Sequence, residues 1–241
     1  MIIEKIEEFY LSKKEERERA HFYITDSGKC PRAVYFQFKK YPKKELDAIF
    51  LRKMHQGDHV HMRTMEVLIS LGIVKAIEIE IPPQEIINGR ADAILNIDNE
   101  PYVLEIKSIN DFGFKKLSKP DEDHYKQIQL YMHYFKINKG IILYENKDNQ
   151  ELKEFKIEYD SGLVEFVLYK LKELKQNIDN NLLPKVPESI MTGSESWKCS
   201  YCPYVESCSK ESEKENDQRN VERLKNLFLI KNSFSKQSKL Y

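Results

Sequence analysis

The sequence lacks a dominant charge. Its 241 residues carry 39 lysines and arginines against 39 aspartates and glutamates, so the formal charge is zero and no global positive field advertises a nucleic-acid partner. Any basic surface must be local. Long apolar runs are missing as well: no stretch approaches the length of a membrane span, and the N-terminal MIIEKIEEFYLSKKEERERA is charged too early and too often for a secretory signal. The expectation is a cytoplasmic protein without membrane association. There is no internal repeat and no long low-complexity run, so one compact unit is expected. Cysteine is scarce, four in all, and in a reducing compartment four thiols point to metal ligands or reactive groups before disulfides. What is present is a 41% hydrophobic content, enough to fill a sizeable core and support a globular enzyme.

The pattern along the chain reads helix, strands, helix, strands. Residues 2–20 suggest a surface helix with Ile2, Ile3, Ile6, Phe9 and Tyr10 as its apolar side. Ser27 is placed to cap a short helix with Pro31 near its first turn and Val34, Tyr35 and Phe38 facing the core. A longer helix over about 45–71 ends at Gly72. Strand-like runs follow at 73–82, 86–97 and 102–109, then a helical segment at 122–136 and further strands at 139–145 and 151–158. Ser161 begins an amphipathic helix through Leu163, Phe166, Val167, Leu171, Leu174 and Ile178, halted before Pro184. Beyond it come an irregular cysteine-bearing segment, a polar, mobile stretch at 209–220 and a last helix around 221–230. A single domain over 1–241 is thus expected, with an N-terminal helical part (27–72), a core (73–182), a C-terminal cysteine segment (183–210) and a polar tail (211–241).

The stretch PYVLEIKSINDF, 101–112, places Glu105 and Lys107 two positions apart in an apolar strand. Beside it stands GRADAILNI, 89–97. With Asp98 and Asn99 as a two-residue turn, the two runs form a hairpin in which Asp92 lies opposite Glu105 and Lys107 shares their face. Two carboxylates and an ammonium group would then converge at the edge of a hydrophobic sheet. Such a carboxylate pair suits Mg²⁺ or Mn²⁺ and leaves room for water and phosphate, while a lysine can orient the attacking water or neutralise phosphate charge. A plain cross-strand salt bridge would look the same, so the neighbouring motifs decide. Gly57 and His61 lie four apart on the long helix and share a face, the missing side chain allowing another element close; His55 and His59 are nearby, and only the glycine spacing favours His61. Gln127 and Tyr131 repeat the four-residue spacing within a stripe otherwise held by Ile128, Leu130 and Phe135.

The series Gly57xxxHis61, Asp92, Glu105-Ile106-Lys107 and Gln127xxxTyr131, in this order, resembles the RecB-like branch of the PD-(D/E)xK nucleases. The resemblance implies an α/β core with a mixed β-sheet flanked by helices and metal-dependent cleavage of DNA phosphodiesters. It implies that His61, Asp92, Glu105 and the carbonyl of Ile106 bind the metal, that Lys107 is catalytic, and that Gln127 and Tyr131 assist. No proline-aspartate pair precedes the ExK triplet, since Asp92 sits in GRADA.

WKCSYCPYVESCSK carries Cys199, Cys202 and Cys208, and the fourth cysteine, Cys30, lies far upstream. Zinc modules usually draw ligands as two local pairs, whereas one distant thiol joined to a C-terminal trio would clamp the two ends of a domain; four thiolates can also hold a [4Fe-4S] cluster, and zinc fits by chemistry alone. The arrangement resembles the iron-sulfur nucleases of the AddB type and the exonuclease of CRISPR adaptation, the fourth Cas family, in which one cysteine precedes the nuclease motifs and three follow. Trp197, Tyr201 and Tyr204 could stack on single-stranded bases with Lys198 near a phosphate, or simply cover the cluster. Lys115, Lys116 and Lys119 form a local basic edge, although solvated loop lysines would read the same. The expected protein is a Mg²⁺- or Mn²⁺-dependent DNA exonuclease acting on single-stranded ends in CRISPR spacer acquisition or in phage or repair DNA processing, with CRISPR adaptation or recombination proteins as partners. The alternative is a non-catalytic iron-sulfur or zinc module that binds DNA ends or a partner, against which the intact Asp92, Glu105 and Lys107 argue.

Overall fold

Through its described residues, 1–12 and 19–237 with side chains to 227, the computed structural model runs α1 (Ile2–Ser12), β1 (Phe22–Tyr23), a 3₁₀ turn (Ile24–Gly28), α2 (Pro31–Phe38), α3 (Ala48–Ser70), β2 (Val74–Glu80), β3 (Ile87–Asn88), β4 (Arg90–Ile97), β5 (Glu100–Ile109), α4 (Asp111–Lys116), α5 (Glu122–Phe135), β6 (Lys139–Asn146), β7 (Leu152–Glu158), α6 (Ser161–Asp179), α7 (Glu188–Met191), a 3₁₀ turn (Ser196–Ser200), α8 (Val205–Lys214) and α9 (Gln218–Gln237). These form two compact units, one of 1–28 with 47–173 and one of 29–46 with 174–241. Among the described residues no helix is long and apolar enough to cross a membrane.

The first unit is built on a mixed five-stranded sheet of order β2-β4-β5-β6-β7, antiparallel except for the parallel β5–β6 pair. The β4–β5 turn is Asp98-Asn99, with φ of 52° and 65°, the left-handed pair that a two-residue turn between twisted strands requires. The hairpin therefore sits at the centre of the sheet, not at its edge as expected. Alternation splits β5 into two faces. Leu104 and Ile106 pack with Ala93, Leu95 and Ile141 against Val60, Met65 and Leu68 of α3. On the opposite face Glu105 and Lys107 meet α5, which seats Ile128 and Met132 over Gly140 so closely that a Cβ there would lie 2.8 Å from both.

Several local expectations shift. The first helix is described over Ile2–Ser12 and buries no residue there; residues 13–18 of the expected 2–20 helix lie outside the described residues. Ser27 does not cap α2: its hydroxyl donates to Ile24 O within the 3₁₀ turn, the cap position belongs to Cys30, and Phe36 replaces Phe38 as the buried ring. The 86–97 run breaks at Gly89 into β3 and β4, because β3 pairs with β1 in a separate small ladder. On α6 the buried stripe is Val164, Val167, Leu171, Leu174 and Ile178, which recur at helical spacing, and Phe166 falls off that stripe and is exposed. A short helix, α4, occupies the expected loop after β5.

The second unit joins residues far apart in sequence. Arg32, 2% exposed, donates to Pro184 O at 2.8 Å, Ser212 Oγ at 2.9 Å and Glu215 at 2.9 Å, so its buried charge is bonded on three nitrogens. The stretch 209–220, expected to be polar and mobile, is instead mostly helical. Ser212 and Asn220 are fully buried, their polarity being answered inside the protein by each other and by Arg32.

Candidate active site and thiol centre

Pairing of β4 with β5 is regular from Ile97↔Glu100 to Ala93↔Leu104 and then stops, one position short of Asp92 and Glu105. There the Asp92 side chain replaces the ladder: its Oδ2 accepts from Ile106 N at 2.6 Å. Its other oxygen, Oδ1, lies 3.4 Å from His61 Nδ1 on α3. The hydrogen bond to Asp92 raises the His61 pKa above its usual value against the opposing effect of burial. His55 and His59 are engaged elsewhere, His55 with Tyr10 Oη at 3.0 Å and the two imidazoles with each other at 4.5 Å between centroids. A Cβ on Gly57 would meet Ser108 Oγ at 3.5 Å, ordinary contact, so this glycine permits the approach of α3 to β5 without being strictly required by it. His61 and Asp92 open onto a cavity of about 450 Å³ walled partly by Met65, Ile69 and Ile77.

Glu105 is 3% exposed. Its Oε1 accepts from Lys107 Nζ at 2.6 Å and from Gln127 Nε2 at 2.7 Å, while Gln127 Oε1 accepts from the same Nζ at 3.0 Å. The lysine is thus fixed by a carboxylate on its own strand and an amide from α5. Burial pushes the Glu105 carboxyl up to about 7, against the pull of Lys107 and with the help of the Asp92 charge. Tyr131 adjoins this triangle through Gln127: its hydroxyl donates to Arg90 O at 2.7 Å, anchoring α5 to β4, and burial followed by the Glu105 charge holds it well above the usual phenol range against the hydrogen bond with the Gln127 side chain. The sequence-derived residues His61, Asp92, Glu105, Ile106, Lys107, Gln127 and Tyr131 are thus linked by direct contacts. His124 escaped the sequence reading. It lies at 2.8 Å from Tyr144 Oη, and burial and the Lys107 charge lower its pKa to about 4.

As they stand, no three His, Cys, Asp or Glu side chains among the described residues are gathered closely enough to hold a metal ion. The donor set nonetheless suits a hard cation on one observation. Glu105 Oε2 is buried and has no hydrogen-bond partner among the described residues, so that oxygen is desolvated without a bond in return.

The four cysteines all fall in the second unit. Cys30 and Cys202 are raised mainly by burial, Cys202 to about 12, and each thiol also feels the charge of Cys199 and Cys208. Two N–H donors from α9 reach the sulfurs: Arg223 Nη1 to Cys199 Sγ at 3.0 Å and Asn220 Nδ2 to Cys208 Sγ at 3.6 Å. Such donors suit thiolates in a metal-sulfur centre better than neutral thiols, so the residues present fit that group too. No spacing in the sequence ties α9 to the cysteines, and the sequence reading missed both residues. Of the aromatic trio, Tyr204 is buried beside Phe36, whereas Trp197 and Tyr201 are 51% and 75% exposed and meet edge to face. Of the expected basic edge, Lys115 pairs with Asp111 at 2.7 Å and Lys116 lies over the Phe112 ring.

The chain has relatives among known proteins. Residues 6–209 match the PD-(D/E)XK nuclease superfamily. The chain is 30% identical to the CRISPR-associated exonuclease Cas4 of Saccharolobus solfataricus, over 84% of this chain and 97% of the relative. Its fold is similar to that of SSO0001, with a TM-score of 0.58 at 24% identity over 86% of this chain and 96% of the other. It also matches a phage-related exonuclease from Haemophilus somnus, with a TM-score of 0.51 at 11% identity over 68% and 95%. With a match over most of its length and a central hairpin that carries the expected carboxylates and lysine, the chain belongs to the PD-(D/E)XK nuclease superfamily.

Proposed function

We propose that the protein is a Mg²⁺- or Mn²⁺-dependent exonuclease that hydrolyses DNA from single-stranded ends in the cytoplasm, carries a structural [4Fe-4S] cluster, and serves CRISPR spacer acquisition or related DNA processing. The observation that carries the reading is the unbonded buried oxygen of Glu105 beside a lysine held in place by Glu105 and Gln127. His61, Asp92, Glu105 and the carbonyl of Ile106 would hold the cation, which when bound would supply positive charge to the phosphate oxygens and favour ionisation of a water. The protein's own groups do the rest. Two of the three Lys107 Nζ hydrogens are engaged by Glu105 and Gln127, which leaves one to direct at the attacking water or at a non-bridging phosphate oxygen. The water oxygen bonds to phosphorus as the phosphorus bond to the leaving oxygen breaks. Exposed Trp197 and Tyr201 support stacking of unpaired bases, and the identity to a CRISPR-associated exonuclease supports the same substrate class.

The test uses end-labelled linear and covalently closed circular single strands with Mg²⁺ or Mn²⁺. Degradation of the linear strand alone, lost in Glu105→Ala and Lys107→Ala and on chelation, is the expected result. Undiminished cleavage by either variant would remove the assignment. A non-catalytic end-binding module would have no need of Lys107 fixed between two side chains.

A further inference from the structure

The second unit holds a buried polar chain that none of the nuclease motifs uses. Arg32 donates to Ser212 Oγ at 2.9 Å, and Asn220 Nδ2 donates to the same oxygen at 2.6 Å. Asn220 Oδ1 accepts from Arg223 Nη2 at 2.8 Å and Nε at 3.2 Å, which fixes the guanidinium plane. The ends of this chain are the two donors to sulfur: Asn220 Nδ2 toward Cys208, and Arg223 Nη1 toward Cys199. Asn220 is fully buried. A buried amide and a guanidinium are costly to desolvate, and a neutral thiol is a weak acceptor that returns little of that cost. A cluster-bound thiolate returns much more, because hydrogen bonds to an ionised acceptor are roughly twice as strong as neutral ones.

We propose that Asn220 and Arg223 are positioning residues of the four-cysteine centre, donating to the Cys208 and Cys199 sulfurs so as to stabilise them as thiolates and hold the iron-sulfur cluster. The inference rests on reading the four cysteines as a cluster site. It assigns to α9 a chemical role in place of a solvated tail, and it distinguishes the four ligands. Cys199 and Cys208 receive a side-chain donor, while the thiols of Cys30 and Cys202 are met by backbone N–H groups, from Ala33 and Arg32 and from Tyr204.

The experiment loads the full chain anaerobically with ferric iron, sulfide and excess thiol, which reduces half of the iron, and follows the visible absorbance under a chelator. Arg223→Met should bleach roughly 10- to 100-fold faster than the parent, the usual consequence of removing a donor to a metal ligand, with Arg223→Lys recovering part of the difference. Asn220→Asp, which keeps the size but loses the donor, should bleach faster as well. The sulfur-to-iron absorption band should move in both, a signature that a purely structural role would leave in place; metal-free Arg223→Met should melt below the metal-free parent because Asn220 Oδ1 loses its donors, so bleaching is compared well below both melting temperatures. A parent that loads and an Arg223→Met protein with the same band and bleaching rate would overturn the inference while sparing the cluster. A parent that takes up no iron would overturn both.

Discussion

Replacing Glu105 by glutamine should make the metal-free protein more stable at alkaline pH while abolishing its activity. The Glu105 carboxyl has a folded pKa of about 7 against 4.5 unperturbed, raised first by burial. The native state therefore holds a proton that the unfolded chain has released between these values, and stability falls as pH rises from about 4.5 to about 7. At about 1.4 kcal/mol per pH unit, the full effect is on the order of 3 kcal/mol. Glutamine retains the volume and an oxygen to accept from Lys107 Nζ and Gln127 Nε2, now found at 2.6 and 2.7 Å. The pull of Lys107 is already contained in that shift and glutamine does not titrate, so the variant should gain roughly 2–3 kcal/mol on the parent between pH 5 and pH 8. At about 2–4 °C per kcal/mol for a chain of this size, the Glu105→Gln protein should melt several degrees higher at pH 8.

Melting curves in EDTA from pH 4.5 to 8.5, read as the difference between variant and parent, isolate this group from other titrations. Adding Mn²⁺ should reverse the order, since a cation at 100 times its dissociation constant stabilises the parent by about 2.7 kcal/mol and the variant far less. Parallel pH profiles for the two proteins would refute the argument that Glu105 is an uncompensated buried acid.

Five further substitutions, one of them a control, probe the rest. Gln127→Ala frees one side of Lys107 and should lower kcat by about 10- to 100-fold, or roughly 1.4–2.7 kcal/mol of barrier; parent-like turnover would mean that the amide does not orient the lysine. His61→Ala should raise the Mn²⁺ requirement by about 10- to 100-fold, and His59→Ala should not; equal shifts in a Mn²⁺ titration would count against His61. Arg32→Ala should cost about 2–4 kcal/mol in urea unfolding by leaving a cavity and taking the donor from Pro184 O, while Ser212 keeps Asn220 and the partly exposed Glu215 turns to water; a loss under about 1 kcal/mol would contradict the network. His124, lowered to about 4 by burial, resists protonation in the folded state, so its contribution is lost as pH falls from 6.5 towards 4; His124→Asn should flatten that acid limb, and an unchanged limb would place the titration elsewhere.

The nuclease hairpin was legible because it is local. A two-residue turn fixes register, and period-two alternation then puts Asp92, Glu105 and Lys107 on one face with no tertiary information. The long helices α3 and α6 were legible for the same reason, since apolar spacing and a stop signal suffice. Three other features depend on partners distant in sequence. The ladder ends before Asp92 only because that side chain takes over the Ile106 N–H, which strand propensity does not encode. Gly89 breaks the expected strand because β1 pairs beside it: a Cβ at Gly89 would stand 2.7 Å from Ile24. Ser212 and Asn220 look like surface residues in a polar run, and only contact with Arg32, 180 positions away from Ser212, makes them interior.

A buried strand that carries opposite charges on one face is explained once the charges are counted. Asp92 and Glu105 bring two negative groups to the site and Lys107 one positive group, and a lysine alone leaves a deficit in a place that water hardly reaches. The metal-free site meets that deficit with protons. At the carboxylate pair the departures from ordinary titration run the same way: Glu105 is raised by burial, and His61 is raised by its hydrogen bond to Asp92, while His124 on the Lys107 side is lowered. A structural ion pair would be expected to settle its carboxylate below the usual range, as Lys139 does for Glu100 on the exposed turn of the same hairpin. Glu105 moves the opposite way although Lys107 bonds it at 2.6 Å, because burial, which the exposed Glu100 does not meet, outweighs the lysine's pull. The strand holds a carboxylate short of positive charge and a lysine with a hydrogen to spare, and that combination is useful to a phosphodiester and of little use to the fold.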